Sequence, residues 1–290
     1  MQIKGKIINI ISNIFYVEVG EKIYKSTSRG IFKTKELKPV VGDNVLVEVE
    51  DEKGNILEII DRVNFIKRPK MANLNQLILV VSAKNPNTDL LMLDKQLVFA
   101  EFLNIHPVIV VNKIDLDRER ANAIEKIYSK IGYKVIQTNA KDKLNINKIK
   151  RILKNNTSSF SGNSGVGKST LINAIFEIEK TKEGEVSKKN NKGKNTTTSV
   201  KLYKVEDNTY IADTPGFSNF EVHEIPYKEL YKYFIEFNEY VPNCEYLDCT
   251  HIKEEICGVK AEIGKNISET RYNNFKRIYE ELKDKEEHKW

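Results

Sequence analysis

Gly162-Asn163-Ser164-Gly165-Val166-Gly167-Lys168-Ser169-Thr170 is the stretch that decides the fold. It carries the G-x-x-x-x-G-K-S pattern of a phosphate-binding loop. Glycines let backbone N–H groups turn inward around phosphates, Lys168 brings a point charge to the β- and γ-phosphates, and Ser169 offers a hydroxyl to Mg²⁺. A helix opening at Lys168 would aim its positive end at the anion. The strand expected before it, Thr157–Ser161, is polar where a buried central strand is normally Val, Ile or Leu, which suggests a short or strained strand.

Two further motifs lie on either side. Upstream, the apolar run Pro107–Asn112 leads into Asn112-Lys113-Ile114-Asp115, the N-K-x-D reader of guanine. An Asp115 carboxylate accepts from guanine N1–H and the exocyclic amine, which adenine cannot match, and Asn112 is expected to share in selecting the base. Thr138-Asn139-Ala140-Lys141 follows another strand and is a weaker match to a loop whose backbone meets guanine O6. Downstream, Asp213-Thr214-Pro215-Gly216 reads as a D-x-x-G switch, with Asp213 on Mg²⁺ through water and the Gly216 N–H on the γ-phosphate. In ordinary GTPases the phosphate loop precedes the base reader. The reversed order here predicts a circularly permuted P-loop GTPase domain of α/β class, supported by strands alternating with helices across the middle of the chain.

Flanking segments differ. Residues 3–68 read as short strands (3–11, 14–19, 45–49 and 56–60) broken by Gly/Asp/Asn turns, as in a small barrel of the OB type. Arg68-Pro69 reads as a linker. After residue 225 the pattern becomes helix, cysteine cluster and helix. The domains expected are therefore 1–68 (OB-type β-barrel), 69–225 (permuted GTPase) and 226–290 (helical, zinc-binding).

Composition limits the partners. Among 290 residues, 40% are hydrophobic and 30% charged, and no apolar run reaches the ~20 residues of a membrane span. A cytoplasmic, monomeric protein with neither membrane nor DNA as partner is expected. The net charge of +6 is uneven. Lys182–Lys204 holds seven lysines and two glutamates beside the nucleotide motifs, which suits either a polyanionic partner such as RNA or a merely solvated loop. All three cysteines lie in Cys244-x₄-Cys249-x-His251-x₅-Cys257, a Cys₃His set for one structural Zn²⁺ with no open position for catalysis.

Taken in order, Asn112–Asp115, Gly162–Thr170, Asp213–Gly216 and Cys244/Cys249/His251/Cys257 resemble the ribosome small subunit-dependent GTPase A family over essentially the whole chain. The resemblance implies GTP hydrolysis to GDP stimulated by the small ribosomal subunit, a role as a late maturation factor or checkpoint, and contact with rRNA through the barrel and the zinc segment. Two departures stand out. The family's switch-loop G-R/K-H-T-T-T is Gly193-Lys194-Asn195-Thr196-Thr197-Thr198 here, replacing a histidine thought to assist hydrolysis, and the Pro-Gly usual before the last cysteine is Glu255-Ile256.

Lys168, Ser169, Thr197, Thr198, Asp213 and Gly216 are the expected catalytic set, with a Thr197 or Thr198 hydroxyl completing the Mg²⁺ shell. Phe217 follows Gly216 where many GTPases have a water-orienting Gln, so hydrolysis by the isolated chain should be slow. The leading expectation is a checkpoint enzyme whose zinc segment is reoriented by nucleotide state. Alternatives are a GTP-gated rRNA-binding module with little or no hydrolysis, and a permuted GTPase acting on the large subunit.

Overall fold

A computed structural model describes residues 1–28, 38–180, 200–213 and 222–288. Two compact units share the chain. One comprises Met1–Ile78, Ile146–Ser161 and Ser169–Ser218, the other Leu79–Asn145, Gly162–Lys168 and Asn219–Trp290.

In the first unit, β1 (Gln2–Ile11), β2 (Ile14–Val19), β3 (Lys22–Ser28), β4 (Asn44–Glu50) and β5 (Lys53–Ile59) close a barrel in the order β1-β2-β3-β5-β4. Its core is Ile7, Phe15, Val17, Val45, Val47, Ile56 and Ile59. β3 escaped the sequence reading because of its seven residues only Ser26 is buried, so it lacks an apolar alternation. It closes the barrel by parallel pairing of Lys25–Ser28 with Lys53–Ile56. Arg68-Pro69 is not a linker. It is the turn of a hairpin between β6 (Phe65–Lys67) and β7 (Lys70–Ala72).

A six-stranded sheet has the order β10-β9-β8-β11-β13-β12, built from β8 (Gln76–Ser82), β9 (His106–Asn112), β10 (Lys134–Gln137), β11 (Thr157–Ser161), β12 (Lys201–Glu206) and β13 (Thr209–Asp213). β9 and β10 are parallel, as are β11 and β13, while β12 runs antiparallel to β13. The chain enters at β8, fills one edge, then returns to β11, so the loops after β8 and β11 diverge at a topological switch point, where open α/β sheets bind ligands. The polar β11 is buried at all five positions. Ser158 Oγ donates to Gln76 Oε1 at 3.1 Å, and Asn75 holds Thr157 through both backbone groups, so these small polar residues are satisfied and the strand is full length. Within the same unit the barrel is tied to the β12–β13 hairpin by Lys204 Nζ on Glu18 Oε1 at 2.8 Å and by Lys6 over the Tyr210 ring.

The second unit carries α1 (Leu90–Phe102), α2 (Arg118–Ile131), the short α5 (Gly258–Ala261) and the long α6 (Glu269–Glu287). α3 (Ile146–Leu153) lies in the first unit, and α4 spans Lys168–Lys180. Asp89 and Asp117 cap α1 and α2 by accepting from Leu91 N and Arg120 N. The regular helix expected after residue 225 is instead a series of 3₁₀ turns at Val222–Glu224, Tyr227–Tyr233, Ile235–Phe237 and Val241–Asn243. Pro226 and Pro242 lack the N–H a continuous helix needs, and Phe234 and Phe237 turn inward onto Phe275 of α6 at ring-centroid distances of 5.2 and 5.0 Å.

This segment is held to α1 by a buried ion network. Arg271 of α6, fully buried, donates to Glu236 through Nε (2.7 Å) and Nη2 (2.9 Å) and to Asp94 of α1 through Nη1 (2.7 Å). Tyr128 Oη and Asn274 Nδ2 also donate to Asp94, at 2.7 and 2.6 Å. Burial pushes the Asp94 carboxyl up, but the three converging donors are the surroundings of an ionised carboxylate. Asp94→Ala would leave the Arg271 cation short of a partner, so urea unfolding should show a loss of ~3–5 kcal/mol. Unchanged stability would mean the network is idle.

Candidate nucleotide site and metal centre

Gly162 follows β11 directly and has φ +146; a Cβ there would sit 2.1 Å from the Val80 carbonyl oxygen of β8. Gly167, with φ +96, leaves 2.3 Å between a Cβ and Asn112 Nδ2. These two positions therefore admit glycine only, and their reason lies in neighbouring strands as much as in phosphate. Between them Val166 is buried while Asn163, Ser164 and Gly165 are exposed. Lys168 Nζ lies over the loop, donating to Asn163 O at 3.1 Å and to Gly162 O. Partial burial lowers its ammonium below the usual lysine range, which favours a phosphate partner beside it. Ser169 and Thr170 are exposed at the start of α4.

The base reader sits at the end of β9. Asn112 is buried, and its amide spans two loops: Nδ2 donates to Val166 O at 2.9 Å, and Oδ1 accepts from Ala140 N at 3.0 Å. Asn112 thus holds the phosphate loop and the Thr138–Lys141 loop at a fixed separation, a role the motif alone did not reveal. Lys113 adopts φ +60 and donates through Nζ to Asn85 O. Ile114 is buried, whereas Asp115 is exposed at the loop tip with its carboxylate free to meet a base. Asn139 folds its own loop, accepting from Lys141 N at 3.1 Å and donating to Asp142 at 2.6 Å. A cavity beside the phosphate loop is lined by Pro86, Thr88, Met92, Leu93, Gly162 and Val166. The Asn85–Thr88 contribution went unread in the sequence, where an Asn-Pro turn signal was its only trace.

Asp213 ends β13, exposed and paired in register with Lys201. Gly216, Phe217, Asn195, Thr197 and Thr198 lie outside the described residues.

Cys244, Cys249, His251 and Cys257 come together with all four ligand atoms within 4.8 Å. Cys244 Sγ and Cys257 Sγ lie 3.6 and 3.5 Å from His251 Nδ1 and 3.9 Å from each other. A tetrahedron with bonds of ~2.3 Å to sulfur and ~2.0 Å to nitrogen has edges of ~3.8 and ~3.5 Å, so the donor set fits zinc. Burial pushes the Cys249 and Cys257 thiols up and the His251 imidazole down. A cation would offset that by drawing thiolates. His251 is fully buried edge-on to Tyr231 at 4.9 Å, and its outer Nε2 has no hydrogen-bond partner among the described residues. Glu254 braces the turn. Although burial opposes its charge, the Thr250 N–H and hydroxyl and the Ile252 N–H hold its carboxyl down at about 2.

Two outcomes are expected. Asn112→Ala removes both ties, and a fluorescent GDP analogue should bind ~10–100-fold more weakly while the far-UV spectrum is kept, as fits loss of ~1–3 kcal/mol from buried hydrogen bonds. Zinc should be found at one equivalent per chain by elemental analysis, and stripping it should lower Tm by ~10 °C or more. A chain with no bound zinc and the same Tm would refute the metal centre.

Comparison with known proteins agrees with this geometry. Residues 59–223 match the RsgA GTPase family and residues 4–57 the RsgA N-terminal domain. The chain is 40% identical over 285 residues to a protein of Alkaliphilus metalliredigens named small ribosomal subunit biogenesis GTPase RsgA, covering 97% of this chain and 98% of the other. A Clostridium botulinum protein of the same name is 41% identical, covering 99% of this chain and all of the other. Among solved structures, YjeQ from Thermotoga maritima superposes with a TM-score of 0.86 at 36% identity, covering 97% of this chain and 99% of that one. YloQ, described as a circularly permuted GTPase, gives 0.83 at 32%, covering 98% and 96%. The chain belongs to the RsgA GTPase family and is a circularly permuted GTP hydrolase.

Proposed function

We propose that this GTPase is a late maturation factor or checkpoint of the small ribosomal subunit, binding it in the GTP state and leaving after hydrolysis. The observation that supports its nucleotide-binding part is the buried amide of Asn112, which sets the base reader and the phosphate loop in one frame. The named relatives supply the ribosomal context. The reading divides the chain into a barrel (1–68) that takes rRNA, a GTPase domain (69–225) and a zinc-holding segment (226–290). The enzyme is monomeric and cytoplasmic, with no DNA partner. No described helix is long and apolar enough to cross a membrane.

In this reading Asp115 selects guanine. The Asn112 amide keeps one hydrogen for the base edge while the other stays on Val166 O, and the Ala140 loop closes over guanine O6. Backbone N–H groups of Gly162–Thr170 and Lys168 neutralise the phosphates. Ser169, Asp213 and Thr197 or Thr198 would hold Mg²⁺, which would supply charge neutralisation at the transferred phosphate. The Gly216 N–H reports the γ-phosphate. Phe217 donates no hydrogen bond to a water, and Asn195 cannot shuttle a proton near neutral pH as a histidine can, so the ribosomal subunit completes the site.

GTP turnover measured with and without purified small subunits tests the proposal. Slow turnover alone, stimulation of ~10-fold or more by subunits, and loss of both in Lys168→Ala are expected from the size of groups supplied in trans. GTP-dependent binding to subunits without stimulated turnover would favour a gated RNA binder, and preference for large subunits would overturn the partner.

A further inference from the structure

Most surface apolar residues are scattered singly, and such residues carry no message. The cysteine knuckle is different. Tyr246, Leu247 and Ile256 are 53%, 107% and 63% exposed within one fourteen-residue loop, Cys244–Cys257, whose inner face is the metal-ligand set. Leu247 sits in the turn closed by Cys249 N on Tyr246 O at 3.3 Å, and Ile256 lies across the loop, where its carbonyl accepts from Glu245 N at 3.3 Å. The loop is braced from within by Glu254, whose own carbonyl accepts from Lys260 Nζ. These side chains are therefore held out on a rigid base, and their exposure has no packing reason among the described residues.

The charge around them identifies what covers them. The knuckle holds Glu245, Asp248, Glu254 and Glu255 against the single Lys253. Glu254 is spent inside the turn. Glu245, Asp248 and Glu255 are exposed and make no ion pair among the described residues. Three thiolates on a divalent cation add one more negative charge. A nucleic-acid backbone is repelled by such a charge balance, and a stacking platform for single-stranded RNA needs basic side chains, of which residues 244–257 hold only Lys253. The complement of three apolar side chains rimmed by carboxylates is a basic polypeptide presenting apolar residues, where the apolar contacts supply affinity and the rim supplies rate and orientation.

We propose that the Tyr246–Leu247–Ile256 face of the knuckle docks a lysine/arginine-rich protein segment, and not RNA. The proposal goes beyond the ribosomal reading, resting on it only for the first source of partner tested. Full-length, zinc-loaded protein with Leu247→p-benzoylphenylalanine is bound to purified small subunits with a non-hydrolysable GTP analogue, checked by co-sedimentation, and irradiated. A cross-linked product that resists ribonuclease, is lost to protease, and falls ~5-fold or more in yield when Asp248 and Glu255 are changed to Lys is expected from the electrostatic share of such contacts. A ribonuclease-sensitive product, a cross-link within the chain or to a second copy, or co-sedimentation with no cross-link overturns it. Failure to co-sediment would instead sink the small-subunit reading. The same labelled protein is then irradiated with a synthetic alternating Lys-Leu peptide and, separately, with single-stranded RNA of equal length. Peptide cross-linking that is lost in Ile256→Ser supports the docking face; RNA cross-linking or none refutes it.

Discussion

Everything that makes this chain a nucleotide-binding protein passes through the Asn112 amide. Its two polar atoms fix Val166 O and Ala140 N, groups that come from loops after different strands. The bond to Val166 spans 54 residues of sequence and is indifferent to which partner comes first. That is the physical reason a permuted chain keeps the site. Permutation moves the ends of the chain, whereas the geometry is set by bonds that close in the folded state. Gly167 belongs to the same constraint, since the space a Cβ would need is filled by Asn112 Nδ2. Phosphate loop and base reader are thus two faces of one packed object, and neither can be altered in isolation.

The remaining polar burial follows one rule: polar groups go inside only with every partner present. β11 places Thr157, Ser158, Ser159 and Ser161 in the middle of a sheet, and Gln76 and Asn75 of the neighbouring segment answer them. Arg271 goes inside with Asp94 and Glu236 arranged around its guanidinium and the rings of Phe234 and Tyr128 over its face, at 4.4 and 5.7 Å. Among the described residues three buried atoms depart from it: Arg120 Nε, Tyr133 Oη and His251 Nε2. A metal-bound imidazole ordinarily donates its outer N–H to an acceptor. Here Tyr231 and Phe237 surround the ring, so the ring is oriented by packing in place of a hydrogen bond.

The fold was legible where chemistry is local. Gly162–Ser169, Asn112–Asp115 and the Cys₃His spacing announce themselves because each needs specific residue types at fixed offsets. β8 and β9 are legible because burial on both faces leaves an unbroken apolar run. What escaped depends on partners distant in sequence. β3 has no apolar alternation and exists because β2 and β5 pair with it on either side. The hairpin at Arg68-Pro69 needs Phe65 opposite Ala72, which three-residue strands cannot signal. The segment after residue 225 keeps helical spacing at Tyr227, Leu230, Tyr231, Phe234 and Phe237, yet its rings reach α6 from successive 3₁₀ turns, a choice set by the distant helix and not by the local pattern. Arg271 and Asp94 read as ordinary surface charges until α1 and α6 are brought together, 177 residues apart.

Those two residues also bear on how nucleotide state could be relayed. In sequence, Asp213–Gly216 runs almost directly into the zinc-binding segment, which invites a mechanism in which that segment swings when the γ-phosphate is lost. The energetics oppose a swing against the base reader. The phosphate loop, the base reader and the zinc segment share one compact unit. Within it α1 lines the cavity beside the phosphate loop with Met92 and Leu93, while Asp94 and Lys95 of the same helix bond Arg271, Asn274 and Glu281 of α6. Separating α6 from α1 would break the Arg271–Asp94 and Asn274–Asp94 bonds together, at about 1.5–3 kcal/mol for each bond to a charged group. The coupling free energy between linked sites is typically ~1–3 kcal/mol. A signal of that size can tighten or loosen loops around an intact network, but it cannot break the network. The zinc segment is therefore tied through α6 and α1 to the unit that also holds Gly162–Lys168 and the base reader.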